Sequence, residues 1–299
     1  MLLFSLSNSS STLFLVSERG MVYDRFKIYP KLFSSYFPGK TNTGTHMGLV
    51  IERSDRVLRI TWDRPPLNVL DLALLRELDH ALEGCAADSA VDVIVFQGAG
   101  ERAFSAGVDI RDHTLEKVPE MLDVVHGVIR KLLALPQVTV ALVRGVCFGG
   151  GCEVASSCDL IVASEDSSFA TPEIHVGCYP PVALARFAGL IGYHRAAEMI
   201  LTGRRFSARE AQAMGLINRV VANNELESGL KALLDELLAK SGAVLKLTLK
   251  GLRELSLQGF AEALKRSEQI YCTDLLQTHD VEEGVRAFLE KRAPKWQHR

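Results

Sequence analysis

The sequence lacks the features that mark several specialised classes of protein. Its six cysteines have no paired spacing, which argues against a disulfide framework or a zinc site and suits a reducing compartment. No apolar run reaches the length of a membrane span. The formal net charge is only −2, which favours neither nucleic acid nor a membrane surface as a partner. We therefore expect a cytoplasmic protein that binds no metal, no nucleic acid and no membrane.

The first 46 residues lack the apolar patterning found in the rest of the chain. Residues 5–17 are rich in serine, and the first basic residue is Arg19, so the early basic residues of a signal peptide are missing. Patterned sequence begins at Met47. We expect residues 1–46 to be an extension that is disordered, derived from expression, or read from an upstream start. A genuine targeting peptide is the alternative.

A glycine-rich corner is the most informative stretch. The β-branched run over residues 139–146 predicts a buried strand, which turns at three glycines, residues 149–151, into a helix. Glycine has no Cβ, so its backbone N–H can approach a ligand closely, and the first N–H groups of a helix favour negative charge. The corner could therefore stabilise an oxyanion. Glu153, on an otherwise apolar first turn, is a candidate functional carboxylate. An ordinary tight turn with a solvated glutamate is the alternative.

The order of elements predicts an α/β fold. Strand and helix patterns alternate through residues 47–241, whereas residues 242–299 are almost purely helical. Asp71 and Ser207 are predicted helix N-caps. Repeated strand–strand–helix units predict a coiled ββα core followed by a helical C-terminal module. A Rossmann sheet is disfavoured, because neither a G-x-G-x-x-G nor a Walker pattern accompanies the strands.

From Met47 onward, the chain carries a series of motifs in a fixed order: Arg64-Pro65-Pro66-Leu67-Asn68, Ala103-Phe104-Ser105-Ala106-Gly107-Val108-Asp109-Ile110, Gly149-Gly150-Gly151-Cys152-Glu153 with Cys158-Asp159, Phe169-Ala170-Thr171-Pro172-Glu173, Leu201-Thr202-Gly203 with Ala211 to Leu216, and Glu283-Gly284 with Phe288-Leu289-Glu290-Lys291-Arg292. In these motifs and their order, the chain resembles the enoyl-CoA hydratase/isomerase (crotonase) superfamily. The resemblance implies a crotonase-like spiral of ββα units whose C-terminal helices build a homotrimer or a dimer of trimers. It also implies an acyl-CoA substrate and no cofactor, since coenzyme A arrives as part of the substrate.

The resemblance also assigns the chemistry to particular positions. Two backbone N–H groups, which look like those of Val108 and Gly150, would polarise the thioester carbonyl. Glu153 and Glu173 look like the two glutamates that hold and activate a water in the hydratases. Close carboxylates can divide acid and base roles because their repulsion separates their pKa values. For Glu173 alone, a surface acid after a proline turn is the alternative.

One segment departs from the family pattern. Tyr179-Pro180-Pro181 replaces a glycine-rich stretch, and Pro181 stands where a glycine N–H often steadies the water; proline has no N–H. Thr171 replaces the common glutamine. A similar double proline is associated with the cyclohexadienoyl-CoA hydratase branch, which indicates a cyclic, conjugated acyl group. Neutral drift in the loop is the alternative.

The remaining substrate and CoA contacts are implied at seven positions: Ala106, Asp109, Ile110, Arg111, Tyr179, Phe288 and Lys291. Arg111 could meet a CoA phosphate, whereas Phe288 and Lys291 resemble C-terminal residues that touch the CoA nucleotide. A solvated arginine and an ordinary amphipathic helix end are the respective alternatives. Tyr179 could line the acyl pocket or belong to the core. Four histidines show no ligand spacing and are interpreted as structural: His113, His126, His175 and His194.

These expectations combine into one predicted function with two alternatives. The protein is predicted to add water across the α,β double bond of an enoyl- or dienoyl-CoA, such as cyclohexa-1,5-diene-1-carbonyl-CoA. A different enzyme of the superfamily, such as an isomerase, decarboxylase or thioester hydrolase, is the first alternative. A non-catalytic RNA-binding or assembly member of the fold is the second, although the near-neutral charge and both glutamates speak against it.

Overall fold

Ten strands in two sheets frame the part of the chain that the computed structural model describes, residues 48–299. The extension predicted over residues 1–46 lies outside that range. The strands are β1 (Gly48–Ser54), β2 (Val57–Asp63), β3 (Val93–Gly98), β4 (Ala103–Ser105), β5 (Val138–Val143), β6 (Val146–Phe148), β7 (Leu160–Ser164), β8 (Ser168–Ala170), β9 (Phe206–Ser207) and β10 (Arg219–Val221).

Ten α-helices and four 3₁₀ helices connect these strands within the described range. The α-helices are α1 (Leu72–Ala87), α2 (Val118–Ala134), α3 (Gly150–Ser157), α4 (Pro181–Ile191), α5 (Tyr193–Thr202), α6 (Ala208–Ala213), α7 (Leu226–Leu238), α8 (Gly242–Ser256), α9 (Phe260–Thr273) and α10 (His279–Leu289). The 3₁₀ helices are Ile110–Asp112, Pro172–Val176, Asn223–Glu225 and Leu275–Gln277. None of the helices in residues 48–299 is long and apolar enough to cross a membrane.

The chain alternates between a large and a small sheet, which produces the predicted spiral. The six-stranded sheet has the order β1-β2-β3-β5-β7-β10, and the four-stranded sheet has the order β4-β6-β8-β9. Only β1 pairs antiparallel in the large sheet, and only β9 does so in the small one. From β3 to β8, each turn of the spiral therefore places one strand in each sheet before a helix follows, as in β5, β6 and α3. The first turn differs, because β1 and β2 both lie in the large sheet.

One predicted strand is wrong. The run over residues 139–146 was predicted to be continuous, but β5 ends at Val143 and β6 begins at Val146 in the other sheet. Gly145 between them has φ +66°, and an added Cβ there would lie 2.1 Å from the carbonyl oxygen of Arg102. This close backbone approach lets the chain cross from one sheet to the other, and only glycine fits it.

Both predicted helix N-caps are confirmed. The Asp71 carboxylate accepts from the N–H of Leu74 at 2.8 Å, and α1 follows with its leucines buried. Ser207 and Glu210 form a reciprocal capping box at the start of α6. These caps show that the local sequence pattern sets where helices begin.

The C-terminal helices pack back onto the spiral. Helix α9 contacts α4 and α2, and α10 contacts the 3₁₀ helix Pro172–Val176. On α8, Arg253 is mostly buried and binds Asp159 at the start of β7, with a distance of 2.9 Å from Nε to Oδ1. The C-terminal helices thereby reach the 3₁₀ helix that carries the candidate Glu173. A boundary between core and module at residue 241 stays a prediction.

Candidate active site

The predicted corner is formed by β6, Gly149 and the first turn of α3. Gly149 has φ +54°, a backbone conformation that favours glycine, and its N–H donates to the carbonyl of Ala170 at 2.9 Å. An added Cβ on Gly149 would lie 2.8 Å from Oε1 of Glu173. The glycine therefore allows the Glu173 carboxylate to lie directly against the backbone of the corner.

The two predicted oxyanion donors lie close together. The N–H of Leu70 donates to Gly107 and its carbonyl accepts from Asp109, which leaves the N–H of Val108 pointing the other way. Gly150 is the first residue of α3, and a Cβ on it would lie 3.5 Å from the Val108 nitrogen. Neither N–H donates to an acceptor within residues 48–299. Two N–H groups without an acceptor in the described part of the chain therefore lie close together, as an oxyanion site requires.

Glu153 is 3% exposed and is held by the N-terminus of α4. Its Oε1 accepts from the N–H of Ala183 at 3.0 Å. Burial raises the pKa of Glu153, while the backbone N–H groups of Ala183 and Val182 and the nearby His126 act to lower it. The positive end of the α4 dipole also favours the carboxylate. Glu153 is therefore a buried acid whose charged form is stabilised by the N-terminus of α4.

Within residues 48–299, Glu173 lacks the hydrogen-bond donors that stabilise the charged form of Glu153. Its Oε2 is buried and has no hydrogen-bond partner in the described part of the chain. Burial raises the pKa of Glu173 to about 8, and the charge of Glu153 acts in the same direction. A proton shared by the two carboxylates is therefore favoured on Glu173, since the helix N–H groups stabilise the charged form of Glu153 and no group in the described part of the chain does so for Oε2 of Glu173.

The double proline begins a helix. Pro181 is the first residue of α4, a position where the missing proline N–H leaves no hydrogen bond unmade. The N–H groups of the next two residues, Val182 and Ala183, are the ones that reach Glu153. From the sequence, the prolines were interpreted as the loss of an N–H that steadies the water and as a sign of a cyclic acyl group. That interpretation missed that they also start the helix that orients Glu153.

A cavity of about 340 Å³ brings most of the predicted site residues together. The predicted residues that line it are Ala106, Val108, Ile110, Gly150, Glu153, Glu173, Tyr179 and Phe288. Three others, Asp109, Arg111 and Lys291, are not part of its lining among residues 48–299. The Asp109 carboxylate accepts from the Arg111 backbone N–H at 2.9 Å and also pairs with its guanidinium. At the end of α10, Arg292 lines the cavity in place of its neighbour Lys291.

Tyr179 is fixed in the cavity wall. Its hydroxyl donates to the carbonyl of Ser267 at 2.8 Å, and its ring meets the edge of Tyr271 with centroids 5.0 Å apart. Tyr271 also lines the cavity and is 1% exposed. The two rings give this wall a rigid aromatic surface.

The sequence analysis missed the position of His126. This residue was interpreted as structural, yet its buried ring on α2 lines the same cavity as Glu153. Its Nδ1 lies 2.6 Å from Oε1 of Glu268, which is 142 residues away in the chain. A single histidine on an apolar helix face gives no signal of such a partner. His113 and His175 also line the cavity.

From Gly48 to the C-terminus, no group of three or more His, Cys, Asp or Glu side chains is arranged to hold a metal ion. The six cysteines are free thiols, and five of them are buried.

A family model described as enoyl-CoA hydratase/isomerase matches residues 52–299. The chain belongs to this family. It is 30% identical over 249 residues to the cyclohexa-1,5-dienecarbonyl-CoA hydratase of Thauera aromatica, covering 83% of this chain and 96% of that protein. It is 37% identical over 268 residues to a probable enoyl-CoA hydratase of Rhizobium meliloti (strain 1021), covering 84% and 98%.

Solved structures of family members have the same fold. An enoyl-CoA hydratase from Mycobacterium avium subsp. paratuberculosis K-10 is similar with a TM-score of 0.76 and 31% identity, covering 83% of this chain and 98% of that one. The predicted family, the spiral α/β fold and the enzyme class, an enoyl-CoA hydratase-like hydro-lyase, are therefore confirmed.

Proposed function

We propose that this protein is an acyl-CoA hydratase that adds water across the α,β double bond of an enoyl- or dienoyl-CoA. The observation that carries the proposal is the pair of carboxylates in one cavity, buried Glu153 and half-buried Glu173, beside two available N–H groups. Coenzyme A enters as part of the substrate, and the reaction uses no further cofactor.

The environments of the two glutamates suggest their roles. The thioester oxygen accepts hydrogen bonds from the N–H groups of Val108 and Gly150. Ionised Glu153 removes a proton from the water, whose oxygen attacks the β-carbon. The π electrons move to the thioester oxygen, and the two N–H groups stabilise the resulting enolate. Protonated Glu173 then donates its proton to the α-carbon.

A panel of linear and cyclic enoyl-CoAs tests this proposal. Hydration removes the conjugated thioester absorbance and adds the mass of one water to the acyl-CoA. Exchange of the α-proton with solvent without net hydration would instead favour an isomerase. Failure to change any acyl-CoA would contradict the enzymatic proposal as a whole.

We expect the enzyme to prefer a cyclic or bulky conjugated acyl-CoA over crotonyl-CoA. Pro181 fixes the start of α4, and Tyr179 is held by Ser267 and Tyr271, so this wall is stiff and partly aromatic. A small acyl chain would fit it loosely and position the water poorly. The similarity to the Thauera aromatica enzyme supports the same preference.

The ratio of kcat/KM for cyclohexa-1,5-diene-1-carbonyl-CoA to that for crotonyl-CoA measures this preference. We expect a ratio of at least about ten, as is usual when a pocket distinguishes acyl groups of different bulk. A ratio well below one would contradict the cyclic preference and leave the hydratase assignment unchanged.

The proposal also covers the CoA end of the substrate. Phe288 lines the cavity and is 56% exposed, so it marks the opening through which the CoA part of a bound substrate would extend toward solvent. The Arg111 side chain is 74% exposed beside that region, although Asp109 holds it. These two residues and Lys291 are proposed CoA contacts. We also propose a cytoplasmic location, which the free cysteines support.

We propose that the protein is a homotrimer or a dimer of trimers. Helix α8 carries four apolar side chains that are each at least 60% exposed: Val244, Leu247, Leu252 and Leu255. Such a stripe is typical of an association surface. Light scattering should therefore give about three or six times the chain mass of 32.9 kDa. Leu247→Asp should lower that mass, whereas a monomeric wild-type protein would contradict the proposal.

A further inference from the structure

A carboxylate–imidazole pair lies in the cavity wall apart from the two glutamates. His126 is 1% exposed, and its Nδ1 lies 2.6 Å from Oε1 of Glu268. The hydrogen bond from His126 lowers the pKa of Glu268, and Arg130 adds to this effect, so Glu268 is ionised at neutral pH. An ionised carboxylate can only accept hydrogen bonds. The proton of this contact is therefore on Nδ1, which donates to Glu268.

The second ring nitrogen of His126, Nε2, is available to a ligand in the cavity. Nε2 of His126 has no hydrogen-bond partner within residues 48–299, although the ring lines the cavity. The other cavity-lining residues of α2 are apolar: Met121, Leu122 and Val125. A polar atom that faces a largely apolar cavity without a protein partner can bind a polar ligand atom there, and such a hydrogen bond adds affinity.

Exposure locates His126 along the cavity. Phe288, at the opening, is 56% exposed, whereas His126 is almost completely buried. Glu153 is also buried and lines the same cavity, and a positive charge on His126 would act to lower the pKa of Glu153. An acyl group that enters past Phe288 would therefore reach the imidazole with its inner, distal part.

We propose that His126, held by Glu268, is a specificity-determining residue that binds a hydroxyl group on the distal part of the acyl chain. The inference rests on the proposed function, and it adds a substrate class to it. With Nδ1 protonated, Nε2 accepts a hydrogen bond when the ring is neutral and donates one when the ring is charged. Only a group that both donates and accepts matches both states, and a hydroxyl does so.

Binding of saturated acyl-CoAs tests the inference without requiring turnover. Calorimetry would compare straight-chain acyl-CoAs of four to eight carbons with their ω-hydroxylated counterparts. In the wild-type protein, one chain length should bind about three- to tenfold more tightly when hydroxylated, the range expected for one net hydrogen bond. If an ordered water already forms a hydrogen bond with Nε2, no chain length would bind more tightly when hydroxylated, and the inference would be overturned.

Two matched variants separate a ligand contact from a structural role. In His126→Asn the side-chain amide can replace Nδ1 and keep the contact to Glu268, but nothing replaces Nε2. In His126→Gln the longer amide can replace Nε2 instead. The hydroxyl preference should therefore disappear in His126→Asn and be at least partly retained in His126→Gln. The reverse order, or a preference unchanged in both variants, would show that His126 only supports Glu268.

The outcome is independent of the hydratase assignment. If no enoyl-CoA is hydrated but the hydroxyl preference and its loss in His126→Asn are observed, the proposed reaction fails and the binding role remains. If hydration is observed and the wild-type protein shows no hydroxyl preference, the reaction remains and the role of His126 fails.

Discussion

Glu153→Gln and Glu173→Gln should each lower kcat by at least about a hundredfold while leaving the affinity for a saturated acyl-CoA largely unchanged. A general acid or base contributes about this much to the transition state and little to the ground state. Glutamine matches the shape of glutamate, and at residue 153 its carbonyl can still accept from the N–H of Ala183. The fold and the cavity should therefore be retained.

The matched control is Glu225→Gln, which changes an exposed glutamate outside the cavity lining and should leave kcat near the wild-type value. Calorimetry with a saturated acyl-CoA separates loss of chemistry from loss of binding. Near-native turnover in either cavity variant would contradict the two-carboxylate mechanism.

The same Glu173→Gln variant has a second readout, its stability as a function of pH. In the folded protein burial raises the pKa of Glu173 from 4.5 to about 8. The protonated side chain therefore contributes fully to the stability of the folded state below pH 4.5, and this contribution is lost as the pH rises through about 8. Glutamine never ionises. The variant should therefore unfold at a higher temperature than the wild type at pH 8, and the difference should shrink toward pH 5. The wild-type kcat should fall over the same rise in pH, because the proton donor is lost.

Local patterns were sufficient to predict much of the fold and the backbone geometry of the corner. The Asp71 and Ser207 caps, the glycine run and the position of Glu153 in the first turn depend on neighbours within a few residues. These are the contacts that periodicity and capping rules describe. The pairing of Glu153 with Glu173 came from a resemblance between whole motifs, not from spacing alone.

What the sequence could not supply depends on contacts between distant parts of the chain. The break at Gly145 follows from the approach of Arg102, 43 residues earlier, which no pattern in residues 139–146 records. The His126–Glu268 pair spans 142 residues. The role of the double proline in starting the helix that holds Glu153 depends on the orientation of α4, whose N-terminus points at Glu153. Each case requires the tertiary structure, because the partners are brought together only by packing.

Gly150→Val should abolish most of the activity while leaving the protein folded. A Cβ on Gly150 would lie 2.6 Å from Cγ2 of Val108 and 3.5 Å from its nitrogen. The Val108 side chain can shift, so the fold should survive, but the space in which the enolate oxygen meets both N–H groups would be filled. Loss of one oxyanion donor raises the barrier by roughly 3 kcal/mol, or about a hundredfold in kcat.

Gly84→Val is the matched control, because Gly84 lies on α1 and a Cβ there meets nothing within 4 Å. It should show near-native kcat, since valine is a better helix residue than the glycine it replaces. Shortening Val108 to alanine in the Gly150→Val background removes the closest clash and leaves the Val108 N–H in place. This double variant should recover part of the lost rate, provided the loss arises from crowding at the two donors. Normal turnover in Gly150→Val, with circular dichroism and oligomeric mass unchanged, would place the oxyanion site elsewhere in the cavity.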